Sequence, residues 1–207
     1  MKNLEINNLL NLNETISSDL FNGKIYPWEI FKDLSEYIIK LGKTLDLNRF
    51  DKIKDNVWIA KNANVAESAY IIGPAIIDEN TEIRHGAFIR ENVIIGKECI
   101  VGNSTEIKNS ILFNNVEVPH FNYVGDSVLG YKSHMGASSI LSNLRSDKKN
   151  VTIKIKEEKI QTGLQKFGAI LGDGTEIGCG AVLNPGTITK RNVLIYPLKS
   201  VSGYIDE

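Results

Sequence analysis

Nine β-branched aliphatics follow one another at steps of six residues: Ile59, Val65, Ile71, Ile77, Ile83, Ile89, Ile95, Val101 and Ile107. Four residues after each stands a mostly small residue: Ala63, Ala69, Ala75, Thr81, Ala87, Val93, Cys99, Thr105 and Ile111. Neither the 3.6-residue period of a helix nor the two-residue period of a simple strand generates this pattern. A six-residue period is a signature of a parallel β-helix, here an all-β chain of hexapeptide repeats. Each coil then has three short flat sides. The aliphatic points inward on each side and the small residue fits the corner beside it. Successive coils stack at about 4.8 Å, and each buries its apolar edge only against its neighbours.

The rhythm returns near the C-terminus at Leu171, Ile177, Leu183, Thr189, Ile195 and Val201. Between 113 and 141 it continues with two steps of five residues, through Phe113, Val118, Val124, Leu129, Met135 and Leu141. From about 142 to 167 it is absent. That insert opens with basic residues, and its alternating Val151, Ile153 and Ile155 predict a hairpin leaving the coil. The boundaries expected are 1–57 for an N-terminal segment and 58–204 for the β-helix. In the segment, Pro27 predicts a helix start. Trp28, Phe31, Leu34, Ile38, Leu41 and Leu45 form one stripe, and Gly42 is a candidate stop. The expectation is one amphipathic helix over about 27–44 that covers the open end of the coil.

The formal net charge is −1, from 24 Lys and Arg against 25 Asp and Glu. That balance supplies no global attraction to nucleic acid or to an anionic membrane. No apolar run approaches a membrane span, and no signal-peptide core is present, so a cytoplasmic protein is expected. Cys99 and Cys179 lack metal-ligand spacing and read as two separate thiols, and no metal site is expected.

Candidate functional residues gather where the rhythm falters, in 116–130, "VEVPHFNYVGDSVLG". Arg90 and Lys108 are 18 residues apart, each just after an inward aliphatic, so their side chains should project from one face. Stacked cations repel unless an anion lies between or beside them, and phosphate is an obvious one; two solvated surface cations are the plain alternative. His120, fixed behind Pro119, could serve as a general base near neutral pH, or be a surface or subunit-contact histidine. Asn122 and Tyr123 offer hydrogen bonds nearby, and Gly125 permits close approach. His134, at a corner, could line a cleft or orient a substrate group, while His85 lies two coils earlier. In the insert, Asn143, Arg145, Lys148 and Lys149 could fold over a phosphorylated ligand, or form a solvated charge run.

The hexapeptide rhythm, "VGNSTEIKNS", "PHFNYVGD" and "NLRSDKK" together resemble the left-handed β-helix acetyltransferase domain of the bifunctional N-acetylglucosamine-1-phosphate uridyltransferase/glucosamine-1-phosphate acetyltransferase family. They resemble its archaeal-type sugar-1-phosphate nucleotidylyltransferase relatives as well. The likeness spans roughly 58–204. It implies a homotrimer with active sites in the clefts between neighbouring β-helices, acetyl-CoA as donor and an amino-sugar 1-phosphate as acceptor. It implies His120 as general base, Arg90 and Lys108 on the sugar phosphate, and Tyr123, Asn143, Lys149 and His134 completing the acceptor site. Ala137, Cys179 and Tyr196 fall where the family lines its acetyl-CoA groove. The bacterial members have Asn-Tyr at Asn143-Leu144, Asn at His134 and Ser at Cys179. The chain lacks a Gly-x-Gly-Thr-x-x-Pro loop, so nucleotidyl transfer is not expected from it. Other readings are a related acyltransferase with a different acceptor, or a non-catalytic module of a sugar-nucleotide pyrophosphorylase.

Overall fold

The computed structural model describes residues 2–155 and 157–207. The chain winds into a parallel β-helix with three sides. The first side begins with Phe50–Lys54, paired antiparallel to Val57–Ala60, and then stacks Ala75–Ile77, Val93–Ile95, Ser110–Leu112, Val128–Leu129, Ala169–Leu171, Thr187–Thr189 and Tyr204–Ile205 in parallel. The second stacks Asn64–Val65, Glu82–Ile83, Ile100–Asn103, Glu117–His120, His134–Met135, Glu176–Ile177 and Leu194–Ile195. The third stacks Tyr70–Ile71, Phe88–Ile89, Glu106–Lys108, Tyr123–Gly125, Ile140–Leu141, Val182–Leu183 and Ser200–Val201. The aliphatics of the six-residue ladder pair with one another from coil to coil, as Ile83 with Val101 and Ile107 with Val124.

The ladder differs from expectation at one place. Ile95 is followed above by Leu112, and Leu112 by Leu129, so the first five-residue step runs from Ile107 to Leu112. Phe113 is therefore not an interior residue. It turns outward and packs edge-on against Phe21, ring centroids 6.0 Å apart. Both short steps cross from the third side to the first.

The first side is apolar on both faces. Its outward column runs Trp58, Ile76, Ile94, Ile111, Val128, Ile170 and Ile188, all essentially buried. What buries it is the N-terminal segment, joined at the last coils by the insert hairpin. The segment forms short helical pieces, including a 3-10 turn at Pro27–Ile30 and an α-helix at Leu34–Gly42, rather than one helix over 27–44. Its helical pieces do not plug the coil end; only Phe50–Lys54 lies there, along one edge of the first coil. Leu9 carbonyl accepts from Asp173 N–H, Glu14 carbonyl from Asn114 N–H, and Gly42 lies on Trp58. The segment thus runs along the flank as a strap, from the late coils down to the first. Leu4, Leu9, Leu10, Phe21, Ile30, Leu34 and Ile38 join the same apolar core as the column beneath. Burying each aliphatic of that column contributes about 1.5–3 kcal/mol, which is why the strap adheres. Gly42 ends the helix, yet its need is steric: a Cβ there would stand 2.3 Å from the Trp58 ring.

The mouth of the first coil stays open, a cavity of about 470 Å³ lined by Ile59, Val65 and Ile71 among others. Strands Thr152–Ile155 and Glu158–Gln161 form the hairpin of the insert. Its Val151 and Ile153 are buried, and Phe167 at its exit packs against Trp28 and Phe31 of the strap. No described helix is long and apolar enough to cross a membrane. Cys99 is buried and Cys179 exposed, each unpaired.

Candidate active site

The corner between the second and third sides carries His120. Asn103 lies one coil below it in register. Above, Ser138 N–H donates to His120 carbonyl, Gly180 N–H to Ala137 carbonyl and Leu198 N–H to Cys179 carbonyl. Ala137 and Cys179 therefore follow His120 up one corner, with exposed Tyr196 just before its last position. The His120 ring is on the surface, but its backbone is held. Asn122, itself buried, accepts the His120 N–H on Oδ1 at 3.0 Å. Its amide donates to Gly136 carbonyl and to Ser139. Asn122 is thus the clamp of this corner, not an exposed binding group.

The far edge of the third side carries the cations. Glu106 and Tyr123 stack on its outer face, and Lys108 sits beside Gly125. Arg90 and Lys108 share this edge as expected, and each already has carboxylate partners. Arg90 donates to Glu106 at 3.0 Å and to Glu91 at 3.3 Å. Lys108, nearly buried, pairs with Asp126 at 3.2 Å. The repulsion between stacked cations is relieved by carboxylates of the chain itself. The same Asp126 accepts from Asn109 at 2.8 Å and from the Asn143 amide.

Tyr123 and Asn143 converge over Gly125: a Cβ at that glycine would stand 2.6 Å from the Tyr123 hydroxyl and 2.7 Å from Asn143 Nδ2. Any larger residue would close this meeting point. Burial pushes the Tyr123 phenol upward, the negative charges of Glu106 and Asp126 add to that, and the Asn143 hydrogen bond partly offsets it. Tyr123 stays a neutral hydroxyl, able to donate or accept.

Four further candidate residues stand elsewhere. His134 is not at a corner near His120. It is on the flat outer face of the second side, between Glu117 and Glu176, with Nδ1 at 3.0 Å from Glu176. Lys149 is in the exposed turn of the insert, its N–H on Asp147. Among the described residues no hydrogen bond or ion pair joins its side chain to Lys108, Tyr123 or Asn143. Arg145 of the same turn is held by Asp147, whose carboxyl that guanidinium keeps well below the usual range. His85 lies two coils below His120 and shares a hydrogen bond of 2.7 Å with Ser68.

Asp126 is a site residue outside the set expected from the sequence. Its signal was present: it stands 18 residues after Lys108, within the "GD" that ends the histidine segment. Among the described residues no group of three or more His, Cys, Asp or Glu is arranged to hold a metal ion.

A family model described as the GMPPB C-terminal domain matches residues 71–205, which take in nearly all the coils and both halves of this site. The chain belongs to that family. It is 38% identical over 177 residues to the bifunctional protein GlmU of Methanococcus aeolicus, covering 74% of this chain and 42% of that protein. A bifunctional sugar-1-phosphate nucleotidylyltransferase/acetyltransferase of Sulfurisphaera tokodaii is 34% identical over 183 residues, covering 78% and 45%. The chain thus spans less than half the length of these relatives. An uncharacterized acetyltransferase, YaiX, of Escherichia coli is 33% identical over 176 residues, covering 76% of this chain and 74% of that one. Among solved structures, a hexapeptide transferase family protein from Anaplasma phagocytophilum is similar with a TM-score of 0.40 and 18% identity, covering 72% and 75%.

Proposed function

We propose that the chain transfers the acetyl group of acetyl-CoA to the amine of a hexosamine 1-phosphate. The observation that carries this reading is one face: exposed His120 at one corner, Tyr123 and Asn143 over its middle, and Arg90 and Lys108 at its far edge. The names of the sugar-1-phosphate and acetyltransferase relatives favour the same chemistry.

In this reading Arg90 and Lys108 meet the phosphate, and Tyr123 and Asn143 orient the sugar. His120 takes the proton as the amine nitrogen attacks the thioester carbonyl. The carbon–sulfur bond breaks, and the CoA thiolate leaves and is protonated. Ala137 and Cys179, up the corner from His120, and Tyr196 beside it, line the path for the pantetheine arm. Small side chains at 137 and 179 leave that corner open, which fits an extended thioester.

The strap occupies the first side, so copies of the chain would meet through the second and third. His134 could then enter the acceptor site only from a neighbouring copy, which accords with a homotrimer whose clefts are the active sites. Lys149 would join only if the insert turn folds toward Asn143.

The test is release of free thiol from acetyl-CoA in the presence of glucosamine 1-phosphate or galactosamine 1-phosphate. Release with at least one sugar is expected, and Arg90→Ala or Lys108→Ala should raise KM for the sugar phosphate. No release with either sugar would sink the reading.

A further inference from the structure

We propose that Asp126 is a positioning residue of the acceptor site, fixing the Lys108 ammonium and the Asn143 amide in the arrangement that meets the acceptor. The proposal rests on the reading above and adds a residue to it.

Asp126 is almost fully buried, with 4% exposure. Its two carboxylate oxygens receive three donors, all from the edge that faces the acceptor: Lys108 Nζ at 3.2 Å, Asn109 Nδ2 at 2.8 Å and Asn143 Nδ2. Asn109 takes Oδ1, which fixes the rotation of the carboxylate and leaves Oδ2 to Lys108 and Asn143. Lys108 has a compact ammonium on a flexible stem with three protons. One of them is committed to Asp126, so the other two have defined directions.

Asn143 opens the insert, and Tyr123 meets it over Gly125. The carboxylate therefore ties the coil residue Lys108 to the insert residue Asn143 and, through it, to the Tyr123 hydroxyl. The backbone helps: the Asp126 N–H donates to Lys108 carbonyl, and its own carbonyl accepts from Gly168 N–H, where the insert returns. Asp126 has φ of 49°, a conformation that Asp tolerates better than most residues.

A carboxylate kept only to neutralise a buried lysine would be dispensable once the lysine is gone. A carboxylate kept for general packing would cost the same with or without Lys108. Positioning predicts a third pattern, read in a double-mutant cycle. Asp126→Asn places an amide against three donors and should raise acceptor KM about 10-fold or more, since a hydrogen bond to a charged group is lost. KM for acetyl-CoA should stay unchanged, because its corner is on the other edge. In a Lys108→Met background the further effect of Asp126→Asn on acceptor KM should shrink to the share carried by Asn143, well below the single-variant effect.

The same four proteins are titrated by calorimetry with glucosamine 1-phosphate and with inorganic phosphate, which needs no turnover. Binding losses that shrink but persist in the Lys108→Met background support the proposal even if acetyl transfer is absent, in which case only the assigned reaction fails; a loss that vanishes there makes Asp126 a mere counter-ion and overturns it. Equal losses from Asp126→Asn in both backgrounds overturn the proposal while leaving the reaction standing. An unchanged acceptor KM, or a wild type that binds neither ligand, overturns it as well.

Discussion

Ile94 and its neighbour Ile95 occupy opposite faces of one strand, and both are 0% exposed. Ile95 points into the coil, where any β-helix would bury it. Ile94 points outward and is buried only because the strap lies over it. Truncating a buried isoleucine to alanine removes its transfer free energy and leaves a cavity, costing about 2–5 kcal/mol. The same change at a solvent-facing position stays within about 0.5 kcal/mol. Both Ile94→Ala and Ile95→Ala should therefore lower the urea-unfolding free energy by about 2–5 kcal/mol. Strap and coil belong to one chain, so the difference from wild type should not change with protein concentration. A loss below about 0.5 kcal/mol at Ile94, with a full loss at Ile95, would refute the strap as the cover of this face.

Asp78 gives a pH test. It is buried, its Oδ2 has no hydrogen-bond partner among the described residues, and burial raises its carboxyl above the usual range against the Glu79 N–H hydrogen bond and the pull of Lys97 and Arg49. A raised folded pKa means the contribution is complete below the unfolded value, near pH 4, and is lost as pH rises through the folded value. Asp78→Asn should therefore be more stable than wild type at pH 7, with the gap closing toward pH 4; urea unfolding at both pH values checks this, and a less stable variant at pH 7 would contradict it. The two thiols should differ in alkylation by iodoacetamide. Cys99 is buried, which pushes its thiol up to about 12, so it should react only on unfolding. Exposed Cys179 should react in the native protein and be protected by acetyl-CoA; labelling unaffected by acetyl-CoA would take Cys179 out of the proposed groove.

The β-helix was legible because its period is a covalent property of the sequence. An inward residue, nearly always apolar, recurs at each side of each coil, mostly at steps of six. The strap was also written there, in a second signal. Ile76-Ile77, Ile94-Ile95, Ile111-Leu112, Val128-Leu129 and Ile170-Leu171 are adjacent aliphatic pairs recurring once per coil. Adjacent residues of a strand face opposite ways, so such pairs mark a side buried on both faces. Reading only the inward ladder left that side apparently exposed and sent the N-terminal segment to the coil end. The same weighting placed Phe113 inside, although Ile111-Leu112 already filled the strand.

Within the site, spacing placed Arg90 and Lys108 on one edge and His120 on the following coil. It could not show that each cation was already paired, because Glu106 and Asp126 reach them across coils. Nor could it assign His134 a side. That histidine lies in a strand of the second side, whereas Tyr123 lies in the third, and only the positions of the corners separate the two.

The measurement that tests the central claim most directly is the rate of acetyl transfer by His120→Ala, followed by free thiol at saturating acetyl-CoA and hexosamine 1-phosphate. A positioned general base contributes about 10²–10⁴-fold, so kcat should fall by that factor with acceptor KM little changed, since the sugar phosphate is held at the other edge of the face. Wild-type transfer that survives the loss of His120 undiminished would contradict the account.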